Sequence, residues 1–224
     1  MSRRSARSIF AEALGSALLL AIIVGSGVMG ERLAGGNAAI ALLANSLATS
    51  AGLATLILIF RPASGAHFNP AVTAAFLLQG GIGPGLAAAY VAAQLSGAVA
   101  GVLLAHAMFD LELLQASTRP RLGLGQGIGE ATATFGLVLT VLQLARRRPD
   151  CVAFAVGLFI LSAYWFTSST SFANPAVTVA RMATDTFVGI RPADAPLFVV
   201  AELSGAGLAL LALRALFADE RSGP

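Results

Sequence analysis

The chain has no lysine, a single cysteine, two histidines and few charges of either sign. Asp, Glu, Lys and Arg together make up 11% of its 224 residues, against about 25% in an ordinary soluble domain. A surface so poor in charge cannot be wetted over most of its area, which excludes soluble and disordered classes. The lone Cys151 excludes an internal disulfide and leaves no second thiol for a metal site. No nucleophile–base pairing, metal cluster or phosphate-cradling loop stands out. An enzyme is therefore not expected, nor a bound cofactor or metal. The net charge of +3 rests on fourteen arginines, and most of them lie in gaps between apolar runs rather than on one face. That is the distribution of topology signals, not of a nucleic-acid site.

What the chain does have is apolar length. Hydrophobic residues are 57% of it and the mean hydropathy is +0.81. A membrane span needs about 20 largely apolar residues, and such runs occur near 8–29, 38–60, 87–109, 127–145, 151–166 and 197–217. The fifth is short and is expected to extend backwards or to tilt. Two further apolar stretches, 68–78 and 172–183, are too short to cross and fit re-entrant half-helices. The reading is an all-α membrane protein with six transmembrane helices plus two half-helices. The first run follows basic residues, as a secretory signal does. However, it is long, carries Glu12 and lacks a small-x-small cleavage site, so it is expected to stay as the first span.

Orientation follows from the arginines. Counting alternate gaps from the N-terminus, nine fall on one side (Arg3, Arg4, Arg7, Arg61, Arg146, Arg147, Arg148, Arg214 and Arg221). Five fall on the other: Arg32, Arg119, Arg121, Arg181 and Arg191. Positive charge collects on the cytoplasmic side, which places both termini there.

The sequence also repeats itself. Asn69-Pro70-Ala71-Val72-Thr73 recurs 105 positions later as Asn174-Pro175-Ala176-Val177-Thr178. Gln94-Leu95-Ser96-Gly97-Ala98 recurs as Glu202-Leu203-Ser204-Gly205-Ala206, and Glu12-Ala13 as Glu130-Ala131. The motifs run in the same order in both halves, about 8–109 and 127–217, within a single channel domain over residues 1–224. Three crossings per half make the second copy enter from the opposite side, an inverted-topology repeat. The two Asn-Pro-Ala segments then meet head to head near the midplane.

Asn is a favoured helix N-cap, and Pro at the next position is pre-organised to start a helix. Asn69 and Asn174 would thus begin two short helices whose positive ends face each other. With the Asn oxygens held by the caps, the amide N–H groups can point at a passing oxygen. A neutral hydroxylic solute keeps hydrogen bonds there while cations are repelled and a proton wire is interrupted.

The paired boxes, the stretch Ser64-Gly65-Ala66-His67-Phe68-Asn69-Pro70-Ala71-Val72-Thr73, and a Glu in the first and fourth spans resemble the aquaporin (major intrinsic protein) family over essentially the whole chain. That resemblance implies a right-handed helical bundle, one pore per subunit, a homotetramer in the lipid bilayer and, for this bacterial-type sequence, an inner (plasma) membrane location. It implies that Glu12 and Glu130 support the re-entrant loops and that His67 lines the cytoplasmic half of the pore. It leaves Glu202 without a clear role.

The sequence departs from the family at the filter. Where the family usually has Arg directly after the second box, this chain has Val177. Offsets from the two Asn residues place Thr49, Ser162 and Ser171 at the other three positions. No aromatic and no Arg is expected among the four, so the constriction should be wider than in a strict water pore. Arg181 lies one turn beyond Val177, about 6 Å along the helix, and is expected to place its charge in the outer vestibule. Tyr164, Trp165 and Phe166 read as an aromatic belt, and Cys151 is expected far from the constriction. The function expected is a passive channel for water and larger neutral solutes such as polyols or undissociated metalloid acids, arsenous acid among them. Thr178, where glycerol-type members commonly have Asp, speaks against a standard glycerol pore. The alternative is a proton-coupled secondary transporter using Glu12, Glu130 or Glu202.

Overall fold

The computed structural model describes residues 2–217, so Arg221 lies outside it. Eight helices follow in chain order: α1 Arg3–Leu33, α2 Ala38–Ser64, α3 Pro70–Leu78, α4 Pro84–Met108, α5 Leu124–Arg147, α6 Val152–Phe166, α7 Pro175–Arg181 and α8 Ala195–Leu216. No strand occurs among the described residues. Five of the helices are long and apolar enough to cross a membrane. The sixth, α6, has 15 residues, about 23 Å of helix, and is short for a bilayer core of about 30 Å. Of the two expectations for it, extension backwards is not met. Pro149 breaks the chain, Arg148 folds onto Asp150, and the helix starts only after Cys151.

The two short helices are shorter than their apolar runs suggest. Residues 68–69 and 172–174 are not helical but form extended, tightly bent lead-ins. Ala66, Phe68, Thr170, Ser171 and Ala173 all have φ between 49° and 62°, a left-handed backbone that costs a non-glycine residue about 1–2 kcal/mol.

Packing follows the small residues. Gly97 of α4 crosses α1 so closely that a Cβ there would lie 2.1 Å from the Ala13 carbonyl oxygen. Gly205 of α8 meets Ala131 of α5 at 2.2 Å in the same way. These are corresponding residues of the two sequence halves, and each long pair, α1–α4 and α5–α8, closes around such a contact. The outward faces remain apolar, with Phe10, Leu43, Leu58, Phe154, Leu158 and Leu211 all at least 46% exposed. A continuous greasy surface of that kind on helices of spanning length belongs in lipid.

On one side, the loop between α4 and α5 lies over the end of α7. Ser117 N–H donates to the Met182 carbonyl, and Arg191 N–H to that of Arg119. Asp185 accepts both the N–H and the hydroxyl of Thr118, and these donors hold its carboxyl below its ordinary value. His106, fully buried at the end of α4, ties the Leu113 carbonyl to Thr184.

Candidate functional site

The centre of the molecule is where α3 and α7 meet by their N-termini. The Asn69 side-chain oxygen accepts the Ala71 and Val72 N–H groups, at 2.8 and 3.4 Å. Asn174 does the same for Ala176 and Val177, at 3.0 and 3.4 Å. With each oxygen committed to its cap, each amide nitrogen crosses to the other loop. Asn69 Nδ2 donates to the Ala173 carbonyl at 2.7 Å, and Asn174 Nδ2 donates to the Phe68 carbonyl at 2.8 Å. One amide hydrogen on each side is thereby used. Pro70 and Pro175 occupy the first helical positions, where a missing N–H costs nothing, and Ala71 and Ala176 are packed flat against the junction.

The strained lead-ins are held by buried acids. Glu12, on α1, accepts His67 N–H at 3.0 Å, Phe68 N–H at 2.7 Å and the Ser64 hydroxyl at 2.6 Å. Glu130, on α5, accepts Phe172 N–H at 2.8 Å and Ala173 N–H at 2.7 Å. Both glutamates are inaccessible to solvent. Their oxygens are occupied by the backbone they hold. Hydrogen bonds to ionised groups are worth about 1.5–3 kcal/mol each, enough to offset the left-handed backbone at Phe68 and Ala173.

A cavity runs past both Asn residues. Its wall away from the loops is built from side chains four residues apart: Leu19 and Ile23 on α1, Thr49, Leu53 and Ile57 on α2, Leu137 and Val141 on α5, and Val152, Val156, Ile160 and Tyr164 on α6. Four-residue spacing keeps one helix face turned inward. From Val152 to Tyr164 the lining covers about 18 Å along α6. The loop side supplies Gly65 to Asn69 and Ser171 to Asn174. Gly65 closes α2 at φ 91°, a left-handed position suited to glycine.

His67 lines this cavity, with its ring stacked on Phe76 at 4.5 Å and Nδ1 3.1 Å from Thr73 Oγ1. Thr49, Ser171 and Val177 line the same cavity. Ser162 is not with them. It is exposed on the outer face of α6, with its hydroxyl turned back to the Phe159 carbonyl. The α6 lining residue beside Thr49 is Tyr164, 3% exposed, whose hydroxyl donates to Thr49 Oγ1 at 3.4 Å. Only Trp165 and Phe166 stay on the surface, as expected for a belt.

The four residues expected together are therefore not all in the lining: Ser162 is outside it, and Tyr164, Phe172 and Arg181 share it with Thr49, Ser171 and Val177. Arg181 is not in an open vestibule either. It is 2% exposed, shares the cavity wall with Val177, and lays its guanidinium 3.3 Å over the Phe172 ring, with Nε donating to the Val188 carbonyl. Arg121 covers the same ring 4.8 Å away and donates to the carbonyls of Gly189 and Ser169. Cys151 is absent from the lining.

Three comparisons bear on these features. A sequence profile for the major intrinsic protein family matches residues 1–151. The chain is 52% identical over 215 residues to "Aquaglyceroporin AqpS" of Rhizobium meliloti (strain 1021), covering 96% of this chain and 92% of that protein. It is 35% identical over 182 residues to "Aquaporin A" of Dictyostelium discoideum, covering 75% of this chain and 65% of that one. In fold it is similar to the solved aquaglyceroporin of Plasmodium falciparum, with a TM-score of 0.77 at 19% identity over 93% of this chain and 95% of that chain.

Proposed function

The chain belongs to the major intrinsic protein family, and from that premise we propose that the cavity past Asn69 and Asn174 is a pore for neutral solutes larger than water as well as for water itself. Proteins of this family are channels, not enzymes, and the chain is a multi-pass membrane protein. The observation that supports the reading is the crossed pair of Asn amides bordering one apolar-walled cavity. A solute oxygen passing there meets N–H donors on one side and aliphatic carbon on the other. The facing helix ends add positive potential. Cations lose hydration without compensation, and a hydronium chain is broken where water must accept rather than donate.

Selectivity is assigned to Thr49, Tyr164, Ser171, Val177 and Arg181. Val177 leaves room at the position next to the second cap, while Arg181 keeps a fixed positive charge one turn further out. This combination suits neutral polyhydroxy molecules, and undissociated metalloid acids such as arsenous acid are the preferred permeant. A wide apolar side at Val177 admits their bulk, and the amide and hydroxyl groups meet their oxygens. The name of the aquaglyceroporin relative agrees with passage of solutes beyond water. The arginine distribution supports cytoplasmic termini, and the family resemblance is the ground for reading the chain as a homotetramer in a bacterial inner membrane with a pore in each subunit. The coupled-transporter alternative finds no support: the oxygens of Glu12 and Glu130 are filled by the loops they hold, Glu202 holds the Asn174 N–H and Thr178, and none of the three lines the cavity.

Proteoliposome uptake of arsenous acid and glycerol tests this reading. The expected result is a flux linear in solute concentration, independent of a proton gradient, and unaccompanied by ion current. Saturable, gradient-driven uptake would contradict it.

A further inference from the structure

The two halves hold their loops with different chemistry at one matched position. In the first half, Gln94 Nε2 donates to Glu12 Oε2 at 2.8 Å and to Thr73 Oγ1 at 2.9 Å. A neutral amide thus supplies the donor that the loop-holding glutamate accepts. In the second half that place belongs to Glu202, three residues before Gly205 as Gln94 is three before Gly97. Glu202 is fully buried. Its Oε1 accepts the Asn174 N–H at 3.1 Å and the Thr178 hydroxyl at 2.6 Å.

Its Oε2 has no donor among the described residues, and the two carboxyl groups hold consecutive amides of one loop, Glu130 that of Ala173 and Glu202 that of Asn174, side by side as Glu12 and Gln94 are in the first half. Two ionised carboxylates in contact inside a protein repel each other, and such a pair settles by keeping one proton. The proton has one place that fits. Both oxygens of Glu130 already accept backbone N–H groups, so an O–H there would face another donor. Glu202 Oε2 is the oxygen with nothing to accept. The nearby cations do not replace the proton: Arg181 and Arg121 donate to main-chain carbonyls, and neither forms an ion pair among the described residues.

We propose that Glu202 is a neutral carboxylic acid that donates its O–H to Glu130 while its other oxygen fixes the Asn174 N–H and Thr178, making it a positioning residue for the second Asn-Pro-Ala loop. The effect on permeation rests on the pore reading above; the protonation does not. Glu202 and Gln94 then do the same work, one neutral donor and acceptor per half, although one is an acid.

The test compares wild type, Glu202→Gln, Glu202→Ala and Glu130→Gln in lipid. Infrared spectroscopy reads the carbonyl band of a protonated carboxyl group at neutral and mildly alkaline pH. Thermal unfolding and neutral-solute flux are followed in parallel. The wild type shows the band and Glu202→Gln loses it, yet Gln keeps flux within about twofold, because an amide makes the same bonds as the neutral acid. Glu202→Ala and Glu130→Gln each lower flux about tenfold or more, since both leave buried N–H groups facing no acceptor. Absence of the band in wild type overturns the protonation. Damage from Gln equal to that from Ala, or no damage from Ala, overturns the positioning role. A wild type that shows the band but passes no neutral solute contradicts the pore reading alone.

Discussion

At the scale of single residues, the centre of the molecule depends on amides doing two jobs at once. Asn174 caps α7 with its oxygen and reaches the Phe68 carbonyl with its nitrogen. Asp would cap equally well, but its second oxygen would face that carbonyl with no hydrogen between them and would set a negative charge at the facing helix ends. Asn174→Asp is expected to lower stability by about 1–3 kcal/mol and to admit cations that the wild type excludes. Thermal unfolding and a potential-sensitive dye in proteoliposomes check the two effects, and an unchanged cation leak would contradict the role given to the amide.

Residue identity was legible at this centre because the Asn-Pro-Ala boxes carry their own local chemistry. It was less legible in the cavity wall around Thr49 and Tyr164, where position depends on how helices rotate. Counting back from Asn174 pointed to Ser162, yet 170–173 runs through left-handed bends that upset any fixed offset. The better signal lay in the sequence: Val152, Val156, Ile160 and Tyr164 form a four-residue ladder, and Ser162 falls on the opposite face of it. Arg181 follows Val177 by one turn of α7, but its burial against Phe172 could not be read from spacing.

At the scale of elements, the long pairs α1–α4 and α5–α8 approach to backbone contact at glycines. Gly97 sits against the Ala13 carbonyl with no room for a Cβ, whereas Gly207 of α8 has open space at the same test. Gly97→Val is expected to push α4 from α1 and cost about 1–3 kcal/mol or more. Gly207→Ala should be neutral or raise stability by up to about 1 kcal/mol through helix propensity. Melting of the two variants in one detergent separates the effects, and equal melting would show that the close crossing does not matter. The spans were visible in the sequence as apolar runs. The starts of α3 and α7 were also fixed there by Asn and Pro, although the apolar runs overstated them by two or three residues. Phe68 and Phe172–Ala173 are apolar because they are buried, not because they are helical.

At the scale of the whole molecule, the bundle presents an apolar surface outward and one polar-edged cavity inward, with the acids locked into loop support. The central claim is that neutral solutes pass through this cavity and that the side chain after the second cap helps set its width. Val177 lines the cavity on the first turn of α7 and is 3% exposed, so a larger uncharged side chain there narrows the path without changing its electrostatics. The most direct measurement is light-scattering kinetics of proteoliposomes given water, glycerol and arsenous acid gradients, for wild type and Val177→Phe, with folding of both checked by melting. The account predicts that wild type passes all three and that the Phe variant loses glycerol and arsenous acid at least about tenfold while keeping most of its water flux. Equal loss of all three in a folded variant, or passage of glycerol and arsenous acid unchanged, would contradict it.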